Sequence, residues 1–198
     1  MHHIAAAVTL GAVALYGRVY LWPGQDYRQG KSRKIDSCVG FDAAFLYLFI
    51  ACPVVTLASL FHASPLLLPL YPVSNGPLAA GTVIAVLACA LFLSARMSLG
   101  SSYSPCSDSY LALRIVDRGP YRFVRHPLYL ANILLLLAFF VMSGSLINLV
   151  NSAILSVYSF VAARNEERAL NEGFPEYGDY RRRTGMLLPK LSRRAARC

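Results

Sequence analysis

Apolar residues in this chain fall in long unbroken blocks, not in stripes one helix face wide. That one feature removes most soluble architectures, because a globular helix or strand needs a polar face. Five blocks stand out, roughly Ile4–Trp22, Phe41–Phe61, Leu78–Met97, Leu128–Met142 and Leu146–Ala163. A bilayer-crossing helix needs about 20 residues, with a range of about 17–25. The first three blocks meet that length. The last two are shorter and are joined only by Ser143–Gly144–Ser145, the pattern of a tight helical hairpin. Between the second and third blocks, "SPLLLPLYPVSNGP" carries prolines that forbid a continuous helix. Composition agrees: 56% of the 198 residues are hydrophobic and 15% are charged, against about 25% charged in soluble domains. The expected fold is an all-α integral membrane protein of about five transmembrane helices.

The basic residues test this independently. Arg18 ends the first block, and Arg28, Lys31, Arg33 and Lys34 follow it. Arg96, Arg114, Arg118, Arg122 and Arg125 lie between the third and fourth blocks, and the remaining Lys and Arg residues follow the fifth. The second loop and the Ser143–Ser145 turn have none. Lys and Arg favour the cytoplasmic side, so this alternation predicts an outside N-terminus and a cytoplasmic C-terminus. The formal charge of +9 then reflects topology and contact with anionic lipid, not nucleic acid. The first block lacks a basic n-region and is read as a retained span, not a signal peptide. The cysteines Cys38, Cys52, Cys89, Cys106 and Cys198 form no CxxC pair. Neither a disulfide framework nor a zinc site is indicated. The histidines are not spaced to hold a metal, and no GxGxxG dinucleotide motif is present.

Polar residues gather around the hairpin. "LALRIVDRGPYRFVRHPLY" precedes the fourth block, "RNEER" follows the fifth, and "EYGDYRRRTGMLLPKL" lies in the tail. The two open ends of a hairpin are neighbours in space. His126 and Tyr129 should therefore meet Glu166 and Glu167, with Pro127 starting a helix at the position where its missing N–H is harmless. Each piece also has a plain structural use. Arg122 and Arg125 suit lipid anchoring, and Asn148, Asn151, Ser152 and Ser156 suit helix–helix contact.

The order "GPYRFVRHPLY", hydrophobic hairpin, "EE", "FPEYGDYRRRTGMLLP" resembles the C-terminal core of the isoprenylcysteine carboxyl methyltransferase family. Phospholipid N-methyltransferases share a related layout. The resemblance covers roughly Leu111–Leu191, which divides the chain into a part with three spans, residues 1–110, and a C-terminal core, residues 111–198. It implies a cytoplasm-facing pocket for S-adenosylmethionine (AdoMet). Carried over residue by residue, cofactor contacts fall on Leu113, Arg114, Ile115, Val116, Tyr121, His126, Pro127, Leu128, Tyr129 and Glu166. Arg125, Arg164 and Glu167 are the candidates for the acceptor. Two departures stand out. The arginine that eukaryotic members place four residues before the glutamate is Ala162 here, and the usual glycine after the phenylalanine is Pro175.

The chemistry implied is methyl transfer from AdoMet to a lipophilic acceptor, foremost an isoprenylcysteine-like carboxylate. An amine phospholipid or a small thiol is the alternative within the same chemistry. A non-enzymatic small membrane protein and a nicotinamide-dependent reductase are readings of other classes. No catalytic base is assigned, since a carboxylate or thiolate acceptor needs none.

Overall fold

The computed structural model describes residues 1–21, 41–61, 68–104 and 111–190. Arg28, Lys31, Arg33 and Lys34, the division expected at 110, and Cys38, Cys106 and Cys198 lie outside the described residues. The described residues form six helices: α1 (His2–Leu21), α2 (Phe41–Phe61), α3 (Asn75–Leu99), α4 (Pro127–Ser143), α5 (Leu146–Gly173) and α6 (Tyr177–Arg183). Short 3₁₀ turns occupy Gly100–Ser102 and Gly119–Arg122. Among the described residues there is no strand, only isolated bridges at Pro69–Ser145 and Val124–Gly185. The fold is all-α, as expected.

Helix α4 is the centre of the bundle. It packs on α2, α3 and α5, most extensively on α3, while α1 rests on α2 and α3. The α3–α4 seam is close because Gly81 has no side chain. A Cβ there would sit 2.5 Å from Met142 Cγ and 2.9 Å from the Ala138 carbonyl. Small residues serve this purpose in apolar bundles, where helices gain little from the hydrophobic effect and rely on contact. Tyr16 of α1 stacks on Phe92 of α3 with ring centroids 4.0 Å apart.

Polar side chains fasten the same core. Asn148 of α5 is fully buried. Its Nδ2 lies 3.0 Å from Thr56 Oγ1 of α2, 3.0 Å from Ser143 Oγ and 3.4 Å from the Phe139 carbonyl of α4. One amide thus ties three helices together, the use expected for it from sequence. The α4–α5 turn is closed by Gly144 at φ 63°, whose N–H returns to the Phe140 carbonyl, the left-handed helix ending that glycine allows. Ser145 caps α5 by accepting from the Ile147 N–H at 3.2 Å. Leu70 and Tyr71 of the proline-rich segment lie across this turn. Leu70 N–H donates to the Gly144 carbonyl at 2.7 Å, and Tyr71 Oη donates to the Val141 carbonyl at 2.8 Å.

Among the described residues, two helices are long and apolar enough to cross a membrane: α3 with its appended turn, Asn75–Ser102, and α5. Only 33% and 39% of the apolar window in each is buried inside the bundle. A core helix of a soluble protein would be buried. Ile50–Phe61 and α4 are shorter apolar helices. One boundary differs from expectation. The fifth block was placed at Leu146–Ala163, but the helix continues to Gly173. Hydropathy ends at Ala163, whereas "RNEERALNEG" is rich in good helix formers and extends the helix as a polar projection. Ten residues of α-helix add about 15 Å.

Candidate functional site

The site is built where α4 begins, and the local sequence explains its shape. Gly119 takes φ 59°, a conformation natural to glycine, and a Cβ there would strike Ser98 Oγ of α3. The chain then makes the 3₁₀ turn that turns Tyr121 inward, 7% exposed. Tyr180 Oη of α6 donates to the Tyr121 carbonyl at 2.8 Å. Next, Val124 pairs with Gly185, so that Arg125 N–H reaches the Gly185 carbonyl at 2.8 Å and His126 N–H the Met186 carbonyl at 3.1 Å. The tail therefore fixes the backbone of the Arg125–His126 pair. His126 is the N-cap residue of α4 and Pro127 opens the helix, but the imidazole makes no capping bond.

Arg125 and His126 use the two glutamates differently. Arg125 Nε donates to Glu167 Oε1 at 2.7 Å. Its Nη1 donates to the Arg181 carbonyl at 3.2 Å and, more closely, to the Thr184 carbonyl. Arg125 and Glu167 are 8% and 7% exposed. A buried ion pair holds only when further hydrogen bonds offset the lost hydration, and the two carbonyls supply them. Glu166 lies about 100° around the helix from Glu167. Its Oε2 is 3.6 Å from His126 Nδ1, and its side chain is 33% exposed. His126 Nε2 is buried and lies 3.4 Å from Glu167 Oε1.

These side chains border a small, open cleft of about 90 Å³. Tyr121, Arg125, His126, Leu128, Tyr129 and Glu166 line it. A contiguous recess shares Tyr121, Arg125, His126 and Glu166 and extends past Arg114, Ile115 and Val116. Of the residues singled out from sequence, these nine come together. Leu113 is 41% exposed and lines neither part. Pro127 is buried in the first turn of α4. Arg164 and Glu167 line a separate depression on the other side of α5.

Several lining residues were not singled out. Leu99 ends α3, Ser102 and Tyr103 come from the 3₁₀ turn that follows it, and Tyr177 and Tyr180 come from α6. Tyr103 carries the Arg96 guanidinium 4.0 Å from its ring centroid. A tyrosine at a span end looks like an ordinary interface residue, so its sequence gave no signal. Tyr177 and Tyr180 sat inside the quoted tail motif. Burial pushes the Tyr180 phenol up to about 12, against the pull of Arg125. Burial, and then the Glu166 carboxylate, raise Tyr121. The aromatic wall is therefore neutral at ordinary pH.

The bundle of apolar helices, with two described helices of membrane-crossing length, ends in a half-polar, aromatic cleft. The chain belongs to the phospholipid methyltransferase family, whose profile matches residues 70–177. The match takes in α3, α4 and α5 and most of the cleft. Three curated proteins are similar over shorter stretches. The cobalt-zinc-cadmium resistance protein CzcN of Cupriavidus metallidurans is 39% identical over 79 residues, 39% of this chain and 37% of that protein. The nickel-cobalt-cadmium resistance protein NccN of Alcaligenes xylosoxydans xylosoxydans is 33% identical over 105 residues, 52% of this chain and 43% of that protein. Methanethiol S-methyltransferase 1 of Bradyrhizobium diazoefficiens is 41% identical over 70 residues, 35% of this chain and 24% of that protein. The similarity thus spans less than half the length of each relative.

Proposed function

We propose that this chain is a multi-pass membrane methyltransferase that uses AdoMet and delivers the methyl group to an acceptor dissolved in the bilayer. In this reading five segments cross the membrane, the N-terminus is outside, and the cleft faces the cytoplasm. The observation that carries it is the composition of the cleft: a partly exposed carboxylate on Glu166, the His126 imidazole beside it, and the rings of Tyr121 and Tyr129.

That set suits AdoMet. When bound, AdoMet supplies an electrophilic methyl on a sulfonium sulfur. Tyr121 and Tyr129 offer aromatic faces to a cation. Glu166 offers an acceptor for a hydroxyl or an ammonium group. The N-terminal end of α4 suits a carboxylate. Arg114, Ile115 and Val116 line the recess beyond. The chain's work in the reaction is to orient the acceptor and keep water out.

The cleft also has an apolar side, where Leu99 of α3 and Leu128 of α4 border it. A hydrophobic acceptor would enter there, between the two helices, while AdoMet enters from water. An isoprenylcysteine-like carboxylate is the acceptor to which the motif order points. A small thiol is a second reading, and two observations favour it. Ala162 is buried beside Tyr129, so no guanidinium projects from that position toward a carboxylate. The similarity to a methanethiol S-methyltransferase points the same way.

The test is transfer of labelled methyl from AdoMet to a panel of acceptors by protein in lipid nanodiscs. The panel holds a prenylcysteine, an amine phospholipid, and alkyl thiols of increasing chain length. A KM that falls as the chain lengthens supports the bilayer route. Activity on short soluble thiols alone, with no effect of chain length, replaces it by the second reading. No labelling of any acceptor counts against methyl transfer.

A further inference from the structure

The polar projection of α5 holds a second feature, separate from the cleft. One face of α5 exposes Val150, Ile154, Val157 and Val161, alternating by four and three residues, so they form one stripe. The next members of that stripe are Arg164 and Arg168, both exposed. The switch from hydrocarbon to guanidinium takes a single step of three residues, about 4.5 Å along the axis. The guanidinium of Arg164 lies 5.6 Å from the ring centroid of Phe160, itself an exposed apolar residue.

The fold brings a third arginine to the same place. Arg181, on α6, lines a depression together with Arg164, Arg168, Asn171 and Glu167. None of these five residues lines the cleft. Glu167 does not cancel the charge of the rim. Its Oε1 is taken by the buried Arg125 guanidinium, and Arg181 Nε stands 3.6 Å from its Oε2. Three guanidinium groups from two elements therefore face one hollow with positive charge to spare.

We propose that this depression binds the phosphate of an anionic membrane lipid. Guanidinium groups recognise phosphate oxygens through paired, charge-assisted hydrogen bonds. The location selects a lipid over free phosphate. For a helix that crosses a bilayer, the hydrocarbon-to-arginine switch marks headgroup depth, and the stripe from Ile154 to Val161 gives the acyl chains a surface immediately below. The lipid would be a resident partner on the outer face of α5, distinct from the acceptor in the cleft. This inference rests on α5 lying in the membrane, not on methyl transfer.

The experiment uses the full-length protein in a neutral detergent and native mass spectrometry of the lipid it retains. The probes are dioctanoyl phosphatidylglycerol, dioctanoyl phosphatidylcholine and inorganic phosphate. Wild type should retain phosphatidylglycerol in preference to phosphatidylcholine, and an equal concentration of inorganic phosphate should not displace it. R164Q/R168Q should weaken retention about tenfold or more, while R122Q/R183Q, which removes the same charge elsewhere, should change it little. If the double variant fails to fold, R181Q carries the same expectation from a different helix. Equal loss in R122Q/R183Q, equal retention of phosphatidylcholine, or displacement by inorganic phosphate overturns the proposal. Extraction of the protein from membranes by alkaline carbonate would instead contradict the membrane reading itself.

Discussion

Adjacent glutamates on one helix carry different loads here, and the difference comes from geometry alone. Glu167 is buried against Arg125, whose guanidinium also donates to the Arg181 and Thr184 carbonyls. Glu166 is partly exposed and faces His126 and the cleft. Removing Arg125 would strand a buried carboxylate, a change that costs about 3–5 kcal/mol in comparable pairs. Arg125→Ala should therefore lower the thermal midpoint in detergent markedly, and Glu166→Ala should hardly move it. Equal midpoints for Arg125→Ala and wild type would show that the pair does not hold the fold. The sequence made the meeting of His126 with the glutamates legible, because a hairpin has to bring its open ends together. It did not reveal that Arg125 serves the interior. An arginine beside a span reads as a lipid anchor, and its burial follows from the tail segment at Gly185 and Met186, a contact some sixty residues away.

At the scale of elements, the α3–α4 seam positions both sides of the cleft, since Leu99 and Ser102 come from α3 and the turn that follows it, and Leu128 and Tyr129 from α4. Gly81 sets how closely the two approach, although it lies near the far end of the seam. Gly81→Leu would drive a side chain into Met142 and the Ala138 carbonyl. Overpacking of this kind costs about 1–3 kcal/mol where backbone can shift. The variant should unfold at lower temperature, while Gly76→Leu, where a Cβ meets nothing within 4 Å, should be tolerated. Similar midpoints for the two would contradict the close seam. Helix positions were legible from the apolar blocks, within a few residues, because hydrocarbon length is what a bilayer selects. The polar extension of α5 was not, since hydropathy is blind to a helix that continues into water. The share of α3 in the cleft was also hidden, because a site assembled across a bundle leaves no mark on the helix that merely closes it.

Over the whole molecule, the apolar stripes, the basic clusters and the end-on cleft form one arrangement if the bundle stands in a bilayer. The turn end, at Ser143–Ser145 and Asn75, then lies on one side, and the cleft end, with Lys190, on the other. Single cysteines at Asn75 and Lys190, introduced after Cys38, Cys106 and Cys198 are replaced, should react with a membrane-impermeant maleimide from opposite faces of sealed vesicles. Labelling of both from one face would overturn the topology. The central claim is that the cleft at the open end of the α4–α5 hairpin holds AdoMet through Glu166 and His126. Titration calorimetry of the purified protein with AdoMet tests it most directly. Wild type should bind AdoMet and not NADPH. Glu166→Ala and His126→Ala should each weaken binding by about 1–3 kcal/mol, the worth of a lost charge-assisted hydrogen bond. Undiminished affinity in a well-folded Glu166→Ala protein would contradict the account.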